Sequence, residues 1–277
     1  MPDGDTFTYA LAFVLGAVIG SFLNVCIYRI PRNESIIRPG SHCTSCNKPI
    51  SFYHNIPILS YILLRGRCSG CNSKISSRYP FVELLTGLLF LITAGMFGLS
   101  IESLVYLMLI SSLIVITFID LEHKIIPNAV TYPGIAVGIL YGAVITDWGS
   151  WGEVTANYTA GKLNFFSLLR ELPVLDSIFG VILGAGTLLL IAYAYKAVKK
   201  RDGMGMGDVK LLAMIGSFFG WEGVLFAIFL GSILGSVSGI AIIVSGRGDM
   251  KYALPFGPFL SVAAVIYIFT GGFKIFI

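Results

Sequence analysis

The chain has 277 residues, of which 56% are hydrophobic and only 12% are charged. A soluble domain carries roughly a quarter of its residues as charged side chains, and a disordered chain combines low hydrophobicity with high net charge, so both classes are excluded. Five cysteines are too few for a disulfide-stapled secreted module, and the net charge of +4 is small. The composition therefore indicates a membrane protein.

Apolar runs long enough to cross a bilayer define the predicted architecture. One crossing takes about 20 apolar residues, and eight runs are bounded by charged or turn residues. No basic segment precedes the first run, which argues against a cleaved signal peptide. The sixth is too short to cross unaided and is expected to be tilted, broken or re-entrant. We predict an all-α polytopic membrane protein with about eight transmembrane helices, at 8–28, 81–98, 101–119, 129–146, 178–196, 207–220, 222–244 and 256–273.

The loop after the first span is strongly basic. Between Arg29 and Tyr79 there are eight Lys or Arg side chains against one acid, Glu34. Because basic loops stay in the cytoplasm, this loop and the basic segment 196–210 are predicted to lie inside, with the N-terminus outside. The connection 147–177 has an acidic balance and is predicted to lie outside.

Two C-x-x-C pairs in the basic loop predict a metal site. Cys43 with Cys46, and Cys68 with Cys71, are separated by 21 residues, which is typical of a four-thiolate zinc site. Redox disulfides and free thiols are the alternatives, although a reducing cytosol disfavours stable disulfides. Four protein ligands leave no open coordination position, so we expect a structural zinc ion. Cys26 lies inside the first span and is predicted to be a packing residue.

Two aspartates stand at the edges of predicted spans, where an ionisable side chain is a functional hypothesis by default. Asp120 ends one apolar run, and Asp208 follows the glycine-rich stretch 203–207. The predicted topology puts both at the cytoplasmic boundary. Two carboxyls that share a site hold one proton between them, so one can deprotonate a water while the other donates to a carbonyl oxygen. Alternatively, both cap helices or pair with Lys124 and Lys210.

Taken together, these features resemble the type IV prepilin peptidases, the bifunctional leader peptidases and N-methyltransferases of bacteria. The Gly-x-Gly-Asp sequence at 205–208 is similar to the motif of a class of membrane aspartyl proteases. The resemblance covers most of the chain, and its segments are 20–32, the two cysteine pairs, 78–87, 120–128, 203–210 and 255–260.

The resemblance implies that Asp120 and Asp208 form the catalytic pair that cuts the short basic leader from prepilins, at the cytoplasmic face of the bacterial inner membrane. It also implies processing of the pseudopilins of type II secretion and methylation of the new N-terminus with S-adenosylmethionine. The expected partners are these substrates and the lipid bilayer, with no nucleic acid. The predicted domains are a first transmembrane helix at 1–28, a cytoplasmic zinc-binding loop domain at 29–80 and a multi-helix membrane aspartyl protease domain at 81–277.

The cofactor site of the methyltransferase is not marked by a motif, because the glycine-rich fingerprint of a soluble methyltransferase is absent from the sequence. By position, the candidate region is the cytoplasmic loop together with Glu83 on the helix that follows it. Glu83 is either a functional carboxylate or a partner for a nearby arginine.

Two other classes of function compete with the peptidase. A transporter or channel would use Asp120 and Asp208 to bind a cation or relay protons. A membrane-anchored zinc module that recruits partners would leave both aspartates dispensable. Cleavage of a prepilin by the wild-type chain, and its loss on replacing either aspartate by asparagine, separates the peptidase from both.

Overall fold

A computed structural model of the chain describes residues 6–200, 205–245 and 254–271. Over these ranges the regular structure is helical, with only two isolated β-bridges, so the all-α prediction is confirmed. Within the described ranges, six helices are long and apolar enough to cross a membrane, and a shorter apolar helix follows them. Gly203 of the glycine-rich stretch and the end of the last predicted span, at 272–273, lie outside the described residues.

The chain divides into two compact units, Met1–His123 and Lys124–Ile277. In the first unit, the three long apolar helices coincide with the first three predicted spans. The basic loop between the first two of them contains little regular secondary structure. Its α-helices are α1 (Thr6–Arg29), α2 (Leu59–Leu63), α3 (Arg78–Phe97) and α4 (Ile101–His123), and short 3-10 helices lie at Ile30–Arg32 and Phe52–His54.

Helices α1 and α3 pack closely because glycines on α1 face the backbone of α3. A Cβ added to Gly16 would lie 2.7 Å from the Cβ of Phe90, and one added to Gly20 would lie 2.8 Å from the Cα of Glu83. Small residues four apart on one helix allow such an approach in a membrane, where van der Waals packing holds helices together. This contact brings the C-terminal half of α1 next to the first turns of α3.

In its described residues, the second unit contains four long or apolar helices and two short ones. The short helices lie in the predicted connection 147–177, where no helix was predicted, and they pack around a small core of Val154, Leu168 and Leu172. The helices of this unit are α5 (Asn128–Ile145), α6 (Trp151–Thr159), α7 (Phe165–Glu171), α8 (Pro173–Lys199), α9 (Met206–Val244) and α10 (Gly257–Thr270).

Glycines also bring α8 and α9 together. A Cβ added to Gly180 would lie 2.2 Å from the carbonyl oxygen of Gly216, and a Cβ on Gly216 would lie 2.2 Å from that of Gly180. Further along α8, a Cβ on Gly184 would approach the carbonyl oxygen of Leu212 to 2.6 Å. The start of α9, which carries Asp208, is therefore fixed against α8 by backbone contact.

A single glycine breaks α9 where the sixth and seventh predicted spans meet. Gly220 has φ 63° and ψ −158°, a conformation open essentially only to glycine. Asp176 of α8 accepts a hydrogen bond from the backbone N–H of Trp221 at 3.2 Å. Because the break in α9 removes the helical acceptor of this N–H, the Asp176 carboxylate takes its place. The two predicted spans, 207–220 and 222–244, are thus one element with a break.

Candidate functional site

The four cysteines of the basic loop come together in the first unit. The sulfurs of Cys43, Cys46, Cys68 and Cys71 all lie within 4.8 Å of one another, and those of Cys43 and Cys71 are 3.8 Å apart. A tetrahedral zinc ion with Zn–S bonds of about 2.3 Å separates its sulfur ligands by about 3.8 Å. The four side chains could therefore bind one metal ion with little movement.

Each pair of cysteines sits on the same kind of turn. The backbone N–H of Asn47 donates to the carbonyl of Cys43 at 2.9 Å, and that of Asn72 donates to the carbonyl of Cys68 at 2.9 Å. Both asparagines have a positive φ, 55° and 57°, which asparagine tolerates better than most residues. The N–H two residues after each of these cysteines also donates to its sulfur, at 3.4 Å. Two copies of one turn thus present two sulfurs each.

The surroundings of Cys43 and Cys46 shift the pKa values of their thiols in opposite directions. The backbone N–H groups of Ser45 and Cys46 lower the pKa of the Cys43 thiol to about 6. At Cys46 the N–H of Lys48 favours the thiolate, but desolvation and the neighbouring sulfurs of Cys71 and Cys43 outweigh it and raise the pKa to about 11. Thiolates this close repel one another, and a bound cation removes that repulsion because it holds all its thiol ligands deprotonated.

A cavity of about 680 Å³ adjoins the cysteine cluster, between the C-terminal half of α1, the loop and the first turn of α3. Its lining changes in character along α1. At one end it includes Val18 and Phe22, which are 51% and 50% exposed, and at the other it includes Cys43 and Lys74. The cavity is therefore apolar towards the middle of the helix and polar towards the loop.

Two side chains that line this cavity each have one buried polar atom without a hydrogen-bond partner. The amide nitrogen of Asn24 donates to the carbonyls of Gly20, at 3.3 Å, and Tyr79, at 3.1 Å, while its Oδ1 atom has no hydrogen-bond partner. Arg78 forms an ion pair with Glu122 through one terminal nitrogen, while its Nε atom is buried without a partner.

Glu83 lies on α3 and is 8% exposed. Its carboxylate accepts hydrogen bonds from the backbone N–H of Ile58, at 2.7 Å, and from the side chain of Ser21, so its observed partners are the loop backbone and a serine of α1. Ile58 has φ 62°, and the N–H of Leu59 donates to the carbonyl of Pro57 at 2.5 Å across it. This is a strained γ-turn, and Glu83 holds it against α3 beside the cavity.

Asp120 and Asp208 occupy opposite ends of their helices. Asp120 lies in the last turns of α4 and is 5% exposed, whereas Asp208 is half-buried in the first turn of α9. Lys210 donates to the side-chain oxygen of Asn128 at 2.7 Å and lies over the ring of Tyr132, which gives it partners of its own. Asp120 belongs to the first unit and Asp208 to the second, and their joint action stays a prediction.

Sequence reasoning overlooked Asn24 and Arg78. Asn24 was present in the first predicted span, and a polar amide inside an apolar helix is itself a signal of function or of helix pairing. Arg78 was counted as one of the basic residues of the loop and as the first residue of the segment 78–87, but it was given no role of its own. Neither the contact of Asn24 with Tyr79 nor the pairing of Arg78 with Glu122 follows from a local pattern, because the partners are 55 and 44 residues apart.

Comparison with known proteins places the chain in a family. Residues 14–97 match the bacterial peptidase A24 N-terminal domain, and residues 107–240 match the type IV leader peptidase family. Relatives named prepilin leader peptidase/N-methyltransferase include proteins from Pseudomonas putida, 34% identical over 94% of this chain and 90% of that protein, and Neisseria gonorrhoeae, 35% identical over 95% and 91%. A third, from Aeromonas hydrophila, is 33% identical over 95% and 91%.

No solved structure matches the chain significantly. The two family matches and the relatives cover both units and nearly the whole sequence, and they agree with the resemblance found from its motifs. The chain belongs to the prepilin leader peptidase/N-methyltransferase family.

Proposed function

We propose that this chain is a membrane aspartyl endopeptidase that removes the leader peptide from type IV prepilins and pseudopilins and then methylates the new N-terminus. The observation that carries the peptidase is the Asp120 carboxyl, which is 5% exposed at the end of an otherwise apolar helix. An ionisable group at such a position is costly to bury, and the family to which the chain belongs consists of leader peptidases.

Asp120 and Asp208 act as an acid and base pair in this proposal. The ionised carboxylate takes a proton from a water molecule, and the water oxygen forms a bond to the scissile carbonyl carbon. The protonated partner donates to the carbonyl oxygen. When the tetrahedral intermediate collapses, the C–N bond breaks and the leaving nitrogen takes the proton from the first carboxyl, while a hydroxyl of the intermediate returns its proton to the partner as the carbonyl re-forms. Neither a serine nor a cysteine nucleophile is needed.

The test is cleavage of a prepilin by purified chain in detergent. Asp120→Asn and Asp208→Asn should each lower the cleavage rate by at least about a thousandfold, because an amide can neither take nor give the required proton. Asp147→Asn is the matched control, since Asp147 is exposed and caps a turn through the N–H of Gly149. Cleavage retained in either of the first two variants would reject the mechanism, and normal cleavage combined with lost ion flux would favour a transporter.

The metal in this proposal is a structural zinc ion held by Cys43, Cys46, Cys68 and Cys71. The donor set supports it, because four sulfurs close to one another match the tetrahedral, sulfur-rich coordination that zinc prefers. The ion would keep the loop folded, since the loop has few buried apolar side chains of its own.

S-adenosylmethionine is the proposed methyl donor, and it supplies an electrophilic methyl group when bound. The new N-terminal amine of the pilin would be the acceptor of that methyl group. The candidate region remains the loop with Glu83, which positions the loop through Ile58. The proposed location is the inner membrane, with the loop and both aspartates on the cytoplasmic side.

A further inference from the structure

The basic loop of the first unit carries large apolar side chains on its surface, although it lies outside the predicted spans. Phe52 is 86% exposed, and Tyr53 beside it is also exposed. On α2 the exposed side chains are Leu59, Ile62 and Leu63, which lie on one face of the helix because they are three and four positions apart. We call these five side chains the exposed loop patch. Apolar side chains grouped on a surface in this way mark an interaction site.

Ser60 joins the two halves of the exposed loop patch. Its buried hydroxyl donates to the carbonyl of Tyr53 at 3.1 Å and accepts a hydrogen bond from the backbone N–H of Ile56 at 3.0 Å. The rings of Phe52 and Tyr53 meet edge to face, with their centroids 5.4 Å apart. The segment before α2 and α2 itself therefore form one surface.

The contact of the loop with α3 sets the depth of this surface relative to the membrane. The backbone N–H of Ile58, the residue before α2, donates to the carboxylate of Glu83. At 1.5 Å per residue, Glu83 lies about 7.5 Å along α3 from Arg78, the first residue of that helix. Glu83 is also inside the predicted span 81–98, and Phe81 on the same turns is exposed as a lipid contact requires. In the predicted topology, α2 thus begins at the edge of the bilayer.

Basic side chains border the exposed loop patch. Arg65 and Arg67 follow α2 directly and are exposed, and neither takes part in an ion pair between described residues. The loop as a whole carries eight basic side chains against one acid. Apolar side chains next to basic ones are typical of a segment that lies in the interface of a membrane with anionic lipids.

The same charge disfavours two protein occupants of the patch. The leader peptide of the proposed substrate is itself basic, so the loop would repel it. In a symmetric dimer, a second copy of the chain would bring the same basic surface against itself, and like charges repel. An anionic lipid surface has the complementary charge.

We propose that the exposed loop patch docks onto the cytoplasmic surface of the bilayer, with α2 lying in the interface. Phe52, Ile62 and Leu63 enter between the lipid headgroups, while Arg65 and Arg67 bind the phosphates of anionic lipids. The loop then has an attachment to the membrane of its own, in addition to the two helices that it connects. This attachment holds the cysteine cluster close to the membrane surface.

The test is the accessibility of a tryptophan on α2, in the full chain reconstituted into vesicles of phosphatidylcholine and phosphatidylglycerol. Leu63→Trp should lose at least about half of its added fluorescence to lipids brominated near the top of the acyl chains, because an interfacial helix buries its apolar face at that depth. Acrylamide in the buffer should quench it only weakly. The wild-type emission is subtracted, since the native tryptophans, Trp148, Trp151 and Trp221, all lie in the second unit.

Tyr61→Trp is the matched control on the same helix. Tyr61 is two residues from Leu63 and therefore on the opposite face of α2, where it is partly buried against Gly66. A tryptophan there should be quenched only weakly by either reagent. Quenching of Leu63→Trp by acrylamide and not by the brominated lipid would overturn the proposal. Shielding of Leu63→Trp from both reagents, together with cross-links to a prepilin or to a second copy, would overturn it in favour of a protein occupant.

The role of the arginines is tested by moving the bromine between lipids. In vesicles with equal amounts of both lipids, brominated phosphatidylglycerol should quench Leu63→Trp about twofold more than brominated phosphatidylcholine, because basic side chains gather anionic lipids around them. Adding Arg65→Gln and Arg67→Gln together should remove this preference. Lys162→Gln, at an exposed basic residue of the second unit, should retain it. An unchanged preference in the double arginine variant would overturn the assignment of the headgroup contacts.

Discussion

At the scale of single residues, the cysteine cluster makes the most direct prediction. Cys43→Ser removes one of four sulfurs that lie within 4.8 Å of one another, and a hydroxyl is a poor replacement for a thiolate ligand. Bound zinc, measured by elemental analysis of the purified chain, should fall from one ion per chain to a small fraction. The loop should also become sensitive to protease, since metal binding supplies folding free energy.

Thr44→Ala is the control for that experiment, because Thr44 lies between two ligands but is exposed on the surface of the turn. It should retain the metal. If Cys43→Ser also kept a full complement of zinc, the ligand set would have to be drawn from other side chains.

The residues that the sequence could predict are those whose geometry is local. A C-x-x-C pair directs both sulfurs to one point within a single turn, so the cluster was foreseeable from spacing alone. Glu83 was predicted to be either a functional carboxylate or a partner for an arginine, but the backbone N–H of Ile58 that it binds is 25 residues away and lies in a strained turn. Such a contact depends on tertiary packing, which no periodicity records.

At the scale of helices, Gly220 makes a prediction about stability. Gly220→Ala should lower the free energy of unfolding by at least about 3 kcal/mol, because its φ of 63° is unfavourable for alanine and the added Cβ would lie 1.8 Å from an Asp176 oxygen. Thermal unfolding in detergent, followed by tryptophan fluorescence, measures the change.

Gly186→Ala provides the comparison on α8. No atom lies within 4 Å of a Cβ added there, and alanine favours a helix over glycine by about 1 kcal/mol. This variant should be neutral or slightly stabilised. Equal melting of the two variants would contradict the importance of the break in α9.

Hydropathy located the long helices well because burial in lipid requires apolar residues on every side of the helix. The predicted ends of the helices were less accurate. Helix α8 begins at Pro173, five residues before the predicted span, because helical hydrogen bonding does not stop where the apolar run stops. The short helices α6 and α7 were missed for the opposite reason. They are only partly apolar, and Val154 and Leu168 are buried by mutual packing, which a window of composition does not reveal.

At the scale of the whole molecule, the distribution of basic residues predicts the topology across the membrane. Lys162 is exposed in the connection between α6 and α7, which is predicted to lie outside. A membrane-impermeant maleimide added to intact spheroplasts should label Lys162→Cys, whereas the wild type should not react, because four of its cysteines lie in the predicted cytoplasmic loop and Cys26 is buried in α1.

Inverted vesicles provide the reciprocal measurement. After removal of the metal with a chelator, the wild-type loop cysteines should react there with the same reagent. If Lys162→Cys were labelled only in inverted vesicles, the predicted orientation would be wrong. The two aspartates would then lie on the side of the membrane opposite to the cytoplasmic leader peptide.

The repeated turn of the loop determines how the metal can be lost. Asn47 and Asn72 shape two equivalent halves, and each half contributes only two of the four sulfurs. A chelator that strips one half leaves the ion with two protein bonds, too few to retain it, so dissociation is expected in a single step with no stable half-bound species. Loosening of the loop should accordingly follow metal release with the same time course, as one cooperative event.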